Sequence, residues 1–225
     1  MILTDIPFEE NRRQKIRMIA GGRGENMKNS VYKSSFAKEF LVMVKERFEK
    51  REAEEICRLA NAYSDEYVNA HPNAYGSAVK VSYPFAGVYR ALQKYVSKEE
   101  ALQLMKECAP RIGEIMRKKF WRFTSLPGMP VLLWANFEKI MEIAGSEKAG
   151  YQSIQYGKKG NEAGLDILSC PVVNALAEIG MPEVAPIMCA IDQIYSTGYR
   201  GIQFRRTKSV AEGDDCCDYR YKRVR

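Results

Sequence analysis

The spacing of apolar residues changes at Gly145, and this change limits the fold more than any other feature of the chain. Before Gly145, apolar side chains recur every three or four residues, which is typical of amphipathic helices. After it, residues 151–156, 201–206 and 217–221 carry the aromatic and β-branched side chains that favour strands. The sequence therefore predicts a helical part followed by a part that contains a sheet.

Two helices are predicted between the first two of these strands. They cover residues 171–179 and 182–196, and Gly180 separates them. An antiparallel sheet packed against helices fits this order. We therefore expect an α+β fold, in which the helical residues 30–145 pack on a small, mainly antiparallel sheet. Residues 150–222 are expected to follow the order strand, helix, helix, strand, strand, and the last two strands are expected to pair.

Three local signals predict helix boundaries in the helical part. Ser97 followed by Glu100 is a capping box, which predicts a helix start. Pro72 restricts the backbone of His71 and predicts that a helix ends there. Pro110 predicts the start of a further helix, because a missing amide costs little in the first turn.

Residues 1–29 are polar and basic, and they contain a Gly-Gly-Arg-Gly run in their middle. They predict an N-terminal arm or loop. A phosphate-binding loop is not expected, because no Gly-Lys-Ser/Thr follows the glycines. The chain is 46% hydrophobic, so residues 30–225 can bury a core of their own. We expect a single α+β domain over that range.

The net charge of +7 is spread along the chain, without a long block of like charges. No nucleic-acid-binding motif is present, so we expect no nucleic-acid partner. The charge is expected to favour solubility and to attract an anionic small-molecule substrate. The longest apolar run, residues 130–135, is too short to cross a bilayer, and no signal-peptide pattern is visible. We therefore expect no membrane partner and a cytoplasmic location, and leave the oligomeric state open.

Six cysteines occur, at positions 57, 108, 170, 189, 216 and 217. They are expected to be reduced in a cytoplasm. No Cys-x-x-Cys pair is present, so the spacing of a structural zinc site is absent, and no cofactor is predicted. Cys170, Cys189 and Cys217 would nevertheless make a soft site for zinc or an iron–sulfur cluster if the fold brought them together. Cys57 and Cys108 lie in helical stripes and are expected in the core.

Cys170 precedes Pro171 at the expected start of a helix. The free amides and the dipole of a helix start favour an anion, so a thiolate is stabilised there. A thiolate is the form that attacks an amidine-type carbon. The alternative role for Cys170 is that of a small buried side chain next to a helix end.

Cys189 and Asp192 are three residues apart, so they share a face of the second predicted helix. Cys189 lies among apolar residues and is expected in the core. An inward-facing Asp192 needs a partner, and Arg206 or Arg220 is expected to supply it. Either arginine is equally suited to bind a substrate carboxylate through a two-pronged contact.

The segment 217–220 combines a thiol, a carboxylate and a guanidinium. Strand alternation places Asp218 and Arg220 on one face, with Cys217 and Tyr219 on the other. We expect Asp218 and Arg220 to point into one pocket. The alternative is an edge strand whose charges face water.

The last third of the chain contains five short segments in a recognisable order. They read Cys170-Pro171, Ile179-Gly180-Met181-Pro182-Glu183-Val184, Cys189-Ala190-Ile191-Asp192, Arg206-Thr207 and Gly213 through Tyr221. This order resembles the L-2-amino-thiazoline-4-carboxylic acid hydrolase family, whose pattern ends in Cys-Asp-Phe-Arg-Phe. Tyr219 and Tyr221 stand where that pattern has Phe and keep the aromatic ring. The resemblance selects Cys217, rather than Cys216, as the cysteine that faces the site.

The resemblance implies a hydrolase that opens a small cyclic amidine, such as 2-amino-thiazoline-4-carboxylate. A thiolate or an activated water would attack the ring carbon between sulfur and nitrogen, and a carboxylate would move protons. The candidate catalytic residues are Cys170, Cys217, Asp218 and Asp192, and the candidate substrate-binding residues are Arg206 and Arg220. The alternative is a non-catalytic module that binds a small ligand or a metal in a pocket between the helical part and the sheet.

Overall fold

A computed structural model of the protein describes residues 30–224. The arm predicted for residues 1–29 lies outside the described residues. The chain begins with a series of helices, as the apolar spacing predicts. These are α1 (Ser30–Lys33), α2 (Lys38–Arg47), α3 (Lys50–Ala70), α4 (Tyr83–Leu92), α5 (Lys98–Thr124), α6 (Met129–Ala135) and α7 (Phe137–Ala144).

Two of the three predicted helix boundaries are confirmed. α5 begins after Ser97, whose Oγ accepts a hydrogen bond from the amide of Glu100 at 3.1 Å. This bond satisfies one of the amides that a helix start leaves free. α3 ends at Ala70, two residues before Pro72.

The prediction that Pro110 begins a helix is wrong. α5 continues through Pro110 over its full length. A proline inside a helix removes one backbone hydrogen bond, which is unfavourable. Cys108, Ala109 and Ile112 are buried around it in the helical core. Their burial offsets the lost hydrogen bond, and this compensation depends on the tertiary structure.

The helical core lies between α2, α3, α4 and α5. Its large, fully buried side chains include Phe40, Ile56, Phe85, Tyr89 and Met105. Phe40 and Phe85 meet edge to face, with their ring centroids 5.1 Å apart, which is a favoured geometry for aromatic pairs. In the described range, no helix combines the length and the hydropathy that a membrane span requires.

The sheet in the described part of the chain has four antiparallel strands in the spatial order β1-β2-β4-β3. The strands are β1 (Gln152–Lys159), β2 (Glu162–Ser169), β3 (Ile202–Arg205) and β4 (Cys217–Arg223), and the helices between β2 and β3 are α8 (Pro171–Glu178) and α9 (Ala185–Tyr195). The predicted α+β class is therefore confirmed, and so is the pairing of the last two strands.

Strand β2 is missing from the predicted order, which the structure corrects to strand, strand, helix, helix, strand, strand. Its side chains at Ala163, Leu165 and Ile167 are buried on one face, which is the period of two expected for a strand. The run is short and leads directly into α8, so it resembled the entry to a helix. β2 lies in the interior of the sheet, where it pairs with both β1 and β4.

The two faces of the sheet have different surroundings. One face packs against α6 and α7 in a second core whose buried residues include Trp134, Phe137, Met141 and Leu165. The opposite face carries exposed side chains such as Tyr156. We refer to these as the inner face and the outer face of the sheet.

Helix α9 lies between the sheet and α5, and its packing positions the residues discussed below. A Cβ atom added at Gly113 of α5 would lie 2.7 Å from the Cβ atom of Ile194, so α9 approaches α5 closely at this glycine. At the end of α9, the ring of Tyr195 packs on Phe120 and Phe36, with centroid distances of 5.5 and 5.7 Å. These contacts fix the rotation of α9 relative to the sheet.

We expect Gly87→Ala to destabilise the fold. A Cβ at Gly87 of α4 would overlap the carbonyl oxygen of Ala60 in α3, so the two helices would have to separate. Overpacking of this kind costs about 1–3 kcal/mol of unfolding free energy. Chemical denaturation of purified protein measures the change. Gly76→Ala is the matched control, because nothing lies within 4 Å of a Cβ at Gly76, and equal stability of the two variants would contradict the prediction.

Candidate active site

Two neighbouring cavities lie between α9 and the inner face of the sheet. Their volumes are about 220 and 100 Å³. Five side chains line both cavities and form the wall between them: Tyr151, Ile167, Asp192, Tyr195 and Tyr219. These cavities therefore form one candidate site, which contains a buried carboxylate.

A larger cavity of about 750 Å³ lies beside α3, and its lining includes Phe36, Val68 and Val79. None of the candidate site residues lines it. We therefore assign the chemistry to the pair of smaller cavities. Their volumes are below the roughly 300–1,000 Å³ of sites that hold drug-sized ligands, so they suit a small ligand.

Asp192 of α9 is held by three side chains: Arg206 and Tyr219 converge on one of its oxygens, and Tyr195 also hydrogen-bonds to the carboxylate. Tyr219 of β4 donates a hydrogen bond from its hydroxyl to Asp192 Oδ2 at 2.7 Å. Arg206, directly after β3, donates from Nη1 to the same oxygen at 2.9 Å. The side chains of Arg206 and Asp192 are only 6% and 14% exposed. The carboxylate is therefore fixed in position and faces both cavities.

Arg206 lies behind Asp192 and lines neither cavity. Its Nη1 also donates to the Tyr219 hydroxyl at 3.3 Å, and its Nη2 donates to the carbonyl of Cys189 at 2.9 Å. Burial acts to lower the pKa of Arg206, but Tyr219 and Asp192 outweigh burial and raise this pKa above its ordinary value. The guanidinium therefore stays charged, and its contacts are with protein groups.

Tyrosines form much of the wall of the cavity of about 220 Å³. Burial, followed by the nearby charge of Asp192, raises the pKa of Tyr195, Tyr199 and Tyr219, for Tyr199 to about 12. Burial and Asp192 act in the same direction on the pKa of Tyr221. All four side chains are therefore neutral phenols near neutral pH, and the hydroxyls of Tyr219 and Tyr195 hydrogen-bond to Asp192.

Sequence reasoning missed these tyrosines as site residues, although two signals were present. Tyr195 follows Asp192 by three residues, so the two share a face of α9. Tyr219 and Tyr221 alternate with Asp218 along β4 and face the same side as Cys217. Each signal required knowing that the inner face contains a cavity, which is a tertiary feature.

The cavity of about 100 Å³ is lined by three cysteines, Cys170, Cys189 and Cys217. Burial is the largest influence on each thiol and raises its pKa, for Cys189 to about 12. The Sγ atom of Cys217 accepts a hydrogen bond from the Val210 amide at 3.3 Å. The structure thus brings together three of the four cysteines of the C-terminal part.

Cys170 occupies the position before α8 that the sequence predicts. The amides of Val172 and Val173 face its sulfur without forming a cap hydrogen bond, and they oppose the rise in its pKa that burial causes. Cys170 is half-buried, whereas Cys217 is buried. Cys170 therefore combines access to the cavity with the electrostatic support of a helix start.

Metal binding by the three cysteines was an open alternative. Across residues 30–224, no group of three or more His, Cys, Asp or Glu side chains is placed to hold a metal ion. Cys170, Cys189 and Cys217 share a cavity wall without the mutual approach that metal coordination requires.

Asp218 and Arg220 lie on one face of β4, as strand alternation predicts, but this is the outer face, and neither side chain lines the cavities. Arg220 Nη1 donates to Asp166 Oδ1 at 2.7 Å, and the guanidinium lies 4.8 Å from the ring centroid of Tyr156. Arg220 thereby links β4 to β2 and β1. The predicted roles in catalysis and substrate binding stay predictions for both residues.

Asp218 closes the turn that follows β3. It accepts hydrogen bonds from the Thr207 amide at 2.7 Å, the Thr207 hydroxyl at 2.6 Å and the Lys208 amide at 2.6 Å. Burial acts to raise the pKa of Asp218, but these hydrogen bonds outweigh it, so the pKa lies below its ordinary 3.8. The turn is adjacent to Arg206, so Asp218 supports the position of that arginine.

The fold and the cavities together are those of an α+β protein with a candidate small-molecule site, which is lined by a carboxylate, three thiols and several tyrosines. Residues 80–221 match the sequence model of the L-2-amino-thiazoline-4-carboxylic acid hydrolase family, which is more than half of the chain. The chain belongs to this family. The match extends the resemblance seen in the last third of the chain back to the start of α4. No match to a curated protein was found.

We expect Asp218→Asn to lower stability. The charged acceptor of three hydrogen bonds is lost, which costs about 1 kcal/mol for a partly exposed group. Because the folded pKa lies below 3.8, this stabilisation is present above that pH and is lost as the pH falls through the folded pKa. Thermal unfolding should therefore separate the variant from the wild type at neutral pH, and the difference should shrink in acid. Glu212→Gln, at an exposed carboxylate nearby in the chain, is the control.

We expect iodoacetamide to label Cys170 faster than Cys57 or Cys108 in the folded protein. Cys57 and Cys108 are buried, and burial raises the pKa of Cys108 to about 11, so little thiolate is present there. Mass spectrometry of peptides after timed labelling measures the rates. Equal, slow labelling of these three thiols would remove the support for a reactive Cys170.

Proposed function

We propose that the chain is a hydrolase that opens a small cyclic amidine, such as 2-amino-thiazoline-4-carboxylate. Family membership supports this reaction class. The observation that carries the proposal is that Asp192, fixed by Arg206 and Tyr219, lines the same small cavity as Cys170. The reaction consumes one water: the ring carbon between sulfur and nitrogen becomes a carbonyl, and its bond to one of these ring atoms breaks.

Asp192 is proposed as the group that moves protons. The hydrogen bonds from Arg206 and Tyr219 both go to Oδ2. A carboxylate oxygen can accept more than one hydrogen bond, so Oδ1 is proposed as the oxygen that meets a water or an amidine N–H beside Tyr195. A positioned carboxylate can take a proton from the attacking water and return it to the leaving ring atom. General acid–base catalysis of this kind typically contributes about 100- to 10,000-fold to the rate.

Cys170 is the thiol best suited to covalent attack. Its thiolate would form a bond to the ring carbon, and the ring bond would break as the leaving sulfur or nitrogen takes a proton. Water would then attack the same carbon and displace the Cys170 thiolate, so that this carbon becomes the carbonyl of the product. A water that Asp192 activates gives the same product in one addition, without a covalent intermediate.

Arg206 is proposed as a positioning residue. Its guanidinium contacts Asp192, Tyr219 and the Cys189 carbonyl, so its effect on the substrate passes through these groups. The free-energy cost of removing the charges of Arg206 and Asp192 from water is offset only while both are present. The loss of one partner of such a pair is strongly destabilising.

A non-catalytic small-ligand module is the second candidate. The observation that favours it is that burial raises the pKa of all three cavity thiols, which reduces the supply of thiolate. Such a module would bind a cyclic amidine in the same cavities and return it unchanged. Turnover distinguishes the two functions.

We expect purified protein to convert 2-amino-thiazoline-4-carboxylate to a product heavier by one water. Mass spectrometry detects the product, and a thiol reagent reports whether the carbon–sulfur bond has broken. Asp192→Asn should lower the turnover rate by about 100-fold or more. Cys170→Ala should lower it similarly if attack is covalent, whereas Cys216→Ala, at a buried cysteine that lines neither cavity, should retain it.

The pH dependence separates the two forms of attack. The pKa of Cys170 lies above the ordinary 9.0, so a thiolate mechanism predicts a rate that rises through the alkaline range. Full activity of Cys170→Ala, with no alkaline rise in the wild type, would assign the attack to water. The absence of any turnover by folded wild-type protein would overturn the hydrolase proposal.

A further inference from the structure

Asp192 is the one Asp, Glu, Lys, Arg or His among the described residues that line the two cavities. Their lining residues include no lysine, arginine or histidine among those that the structure describes. The arginine closest to the site, Arg206, is engaged behind Asp192. A substrate carboxylate placed deep in these cavities would thus meet the carboxylate of Asp192, while the guanidinium of Arg206 behind it is already paired with that carboxylate. Like charges at close range in a buried site are unfavourable.

The side chains of the cavity walls favour a cationic group over a carboxylate. The cavity of about 220 Å³ is lined by Tyr195, Tyr199, Tyr219 and Tyr221. These side chains remain neutral, because burial keeps their hydroxyls protonated. The face of an aromatic ring is electronegative and attracts a cation within about 6 Å. Tyr219 and Tyr221 stack on each other with their centroids 6.5 Å apart, and Tyr199 is tilted against Phe120 at 5.2 Å, so aromatic rings without formal charge line this wall. A flat cationic group therefore fits this wall.

We infer that the cavities select the protonated amidine end of the substrate: Asp192 pairs with the amidinium, the tyrosine rings pack on its plane, and the substrate carboxylate points away from Asp192. This inference rests on the proposed function for the identity of the ring. It goes beyond that function in making the amidinium, rather than the carboxylate, the group that determines affinity. The substrate class is thus cyclic isothioureas and related cyclic amidines, with or without a carboxylate.

Three small molecules test this orientation with wild-type protein. They are 2-amino-thiazoline-4-carboxylate, 2-aminothiazoline, which lacks the carboxylate, and 2-oxothiazolidine-4-carboxylate, which lacks the amidine. Calorimetry should give 2-aminothiazoline a dissociation constant within about tenfold of that of the first compound. The amidine-free acid should bind roughly 10- to 100-fold more weakly, as expected for the loss of a charge-assisted pair. The reverse order of affinities would overturn the inference.

The same series separates this inference from the proposed function. Turnover of 2-amino-thiazoline-4-carboxylate together with no binding of 2-aminothiazoline would leave the hydrolase standing and remove the amidinium orientation. Binding of 2-aminothiazoline without turnover of the acid would do the opposite.

Variants of Asp192 and Tyr199 test whether these residues determine the affinity for 2-aminothiazoline. Asp192→Asn should weaken 2-aminothiazoline by roughly 10- to 100-fold and leave the amidine-free acid unchanged or improved, whereas the exposed Asp215→Asn should change neither. Tyr199→Phe keeps the ring and should bind 2-aminothiazoline nearly normally, while Tyr199→Leu should lose several-fold. The Tyr199 pair keeps the test valid if Asp192→Asn does not fold, and equal binding by the two Tyr199 variants would count against the tyrosine wall.

Discussion

The buried ion pair between Asp192 and Arg206 is the interaction on which the site depends. It joins α9 to the chain segment after β3, and Tyr219 adds β4 to the same contact. Removing two charges from water is costly, and the cost is offset only by close geometry and further hydrogen bonds. The Cys189 carbonyl and the Tyr219 hydroxyl supply those bonds to Arg206. The pair therefore holds together the three elements that enclose the cavities.

The side chains of strand β4 have different roles on the inner and the outer face of the sheet. On the inner face, Cys217 and Tyr219 belong to the cavity walls, whereas on the outer face Asp218 and Arg220 bond to neighbouring turns and strands. The charged residues thus brace the strand that presents the site. This division explains how one short segment can contain a thiol, an acid and a base that never meet in one pocket.

The composition of the cavities is the basis of the proposal that they take a small, flat ligand with a positive end. Their combined space is small, Asp192 is the one Asp, Glu, Lys, Arg or His among the described residues that line them, and their walls are largely tyrosine and aliphatic. The family is named after a carboxylic acid, yet the described lining offers that acid group no cation. Recognition through the amidine resolves this apparent conflict, because Asp192 then meets a group of opposite charge.

The sequence by itself determined the fold class, the helices around Cys170 and Asp192, and the face on which each β4 residue lies. These follow from local periodicity and from signals such as Cys170-Pro171, which act over a few residues. Only the tertiary structure decided that β2 enters the sheet, that α5 continues through Pro110, and that Arg206 rather than Arg220 pairs with Asp192. These outcomes depend on which surfaces become buried together. That burial gathers residues far apart in the chain, and local spacing cannot report it.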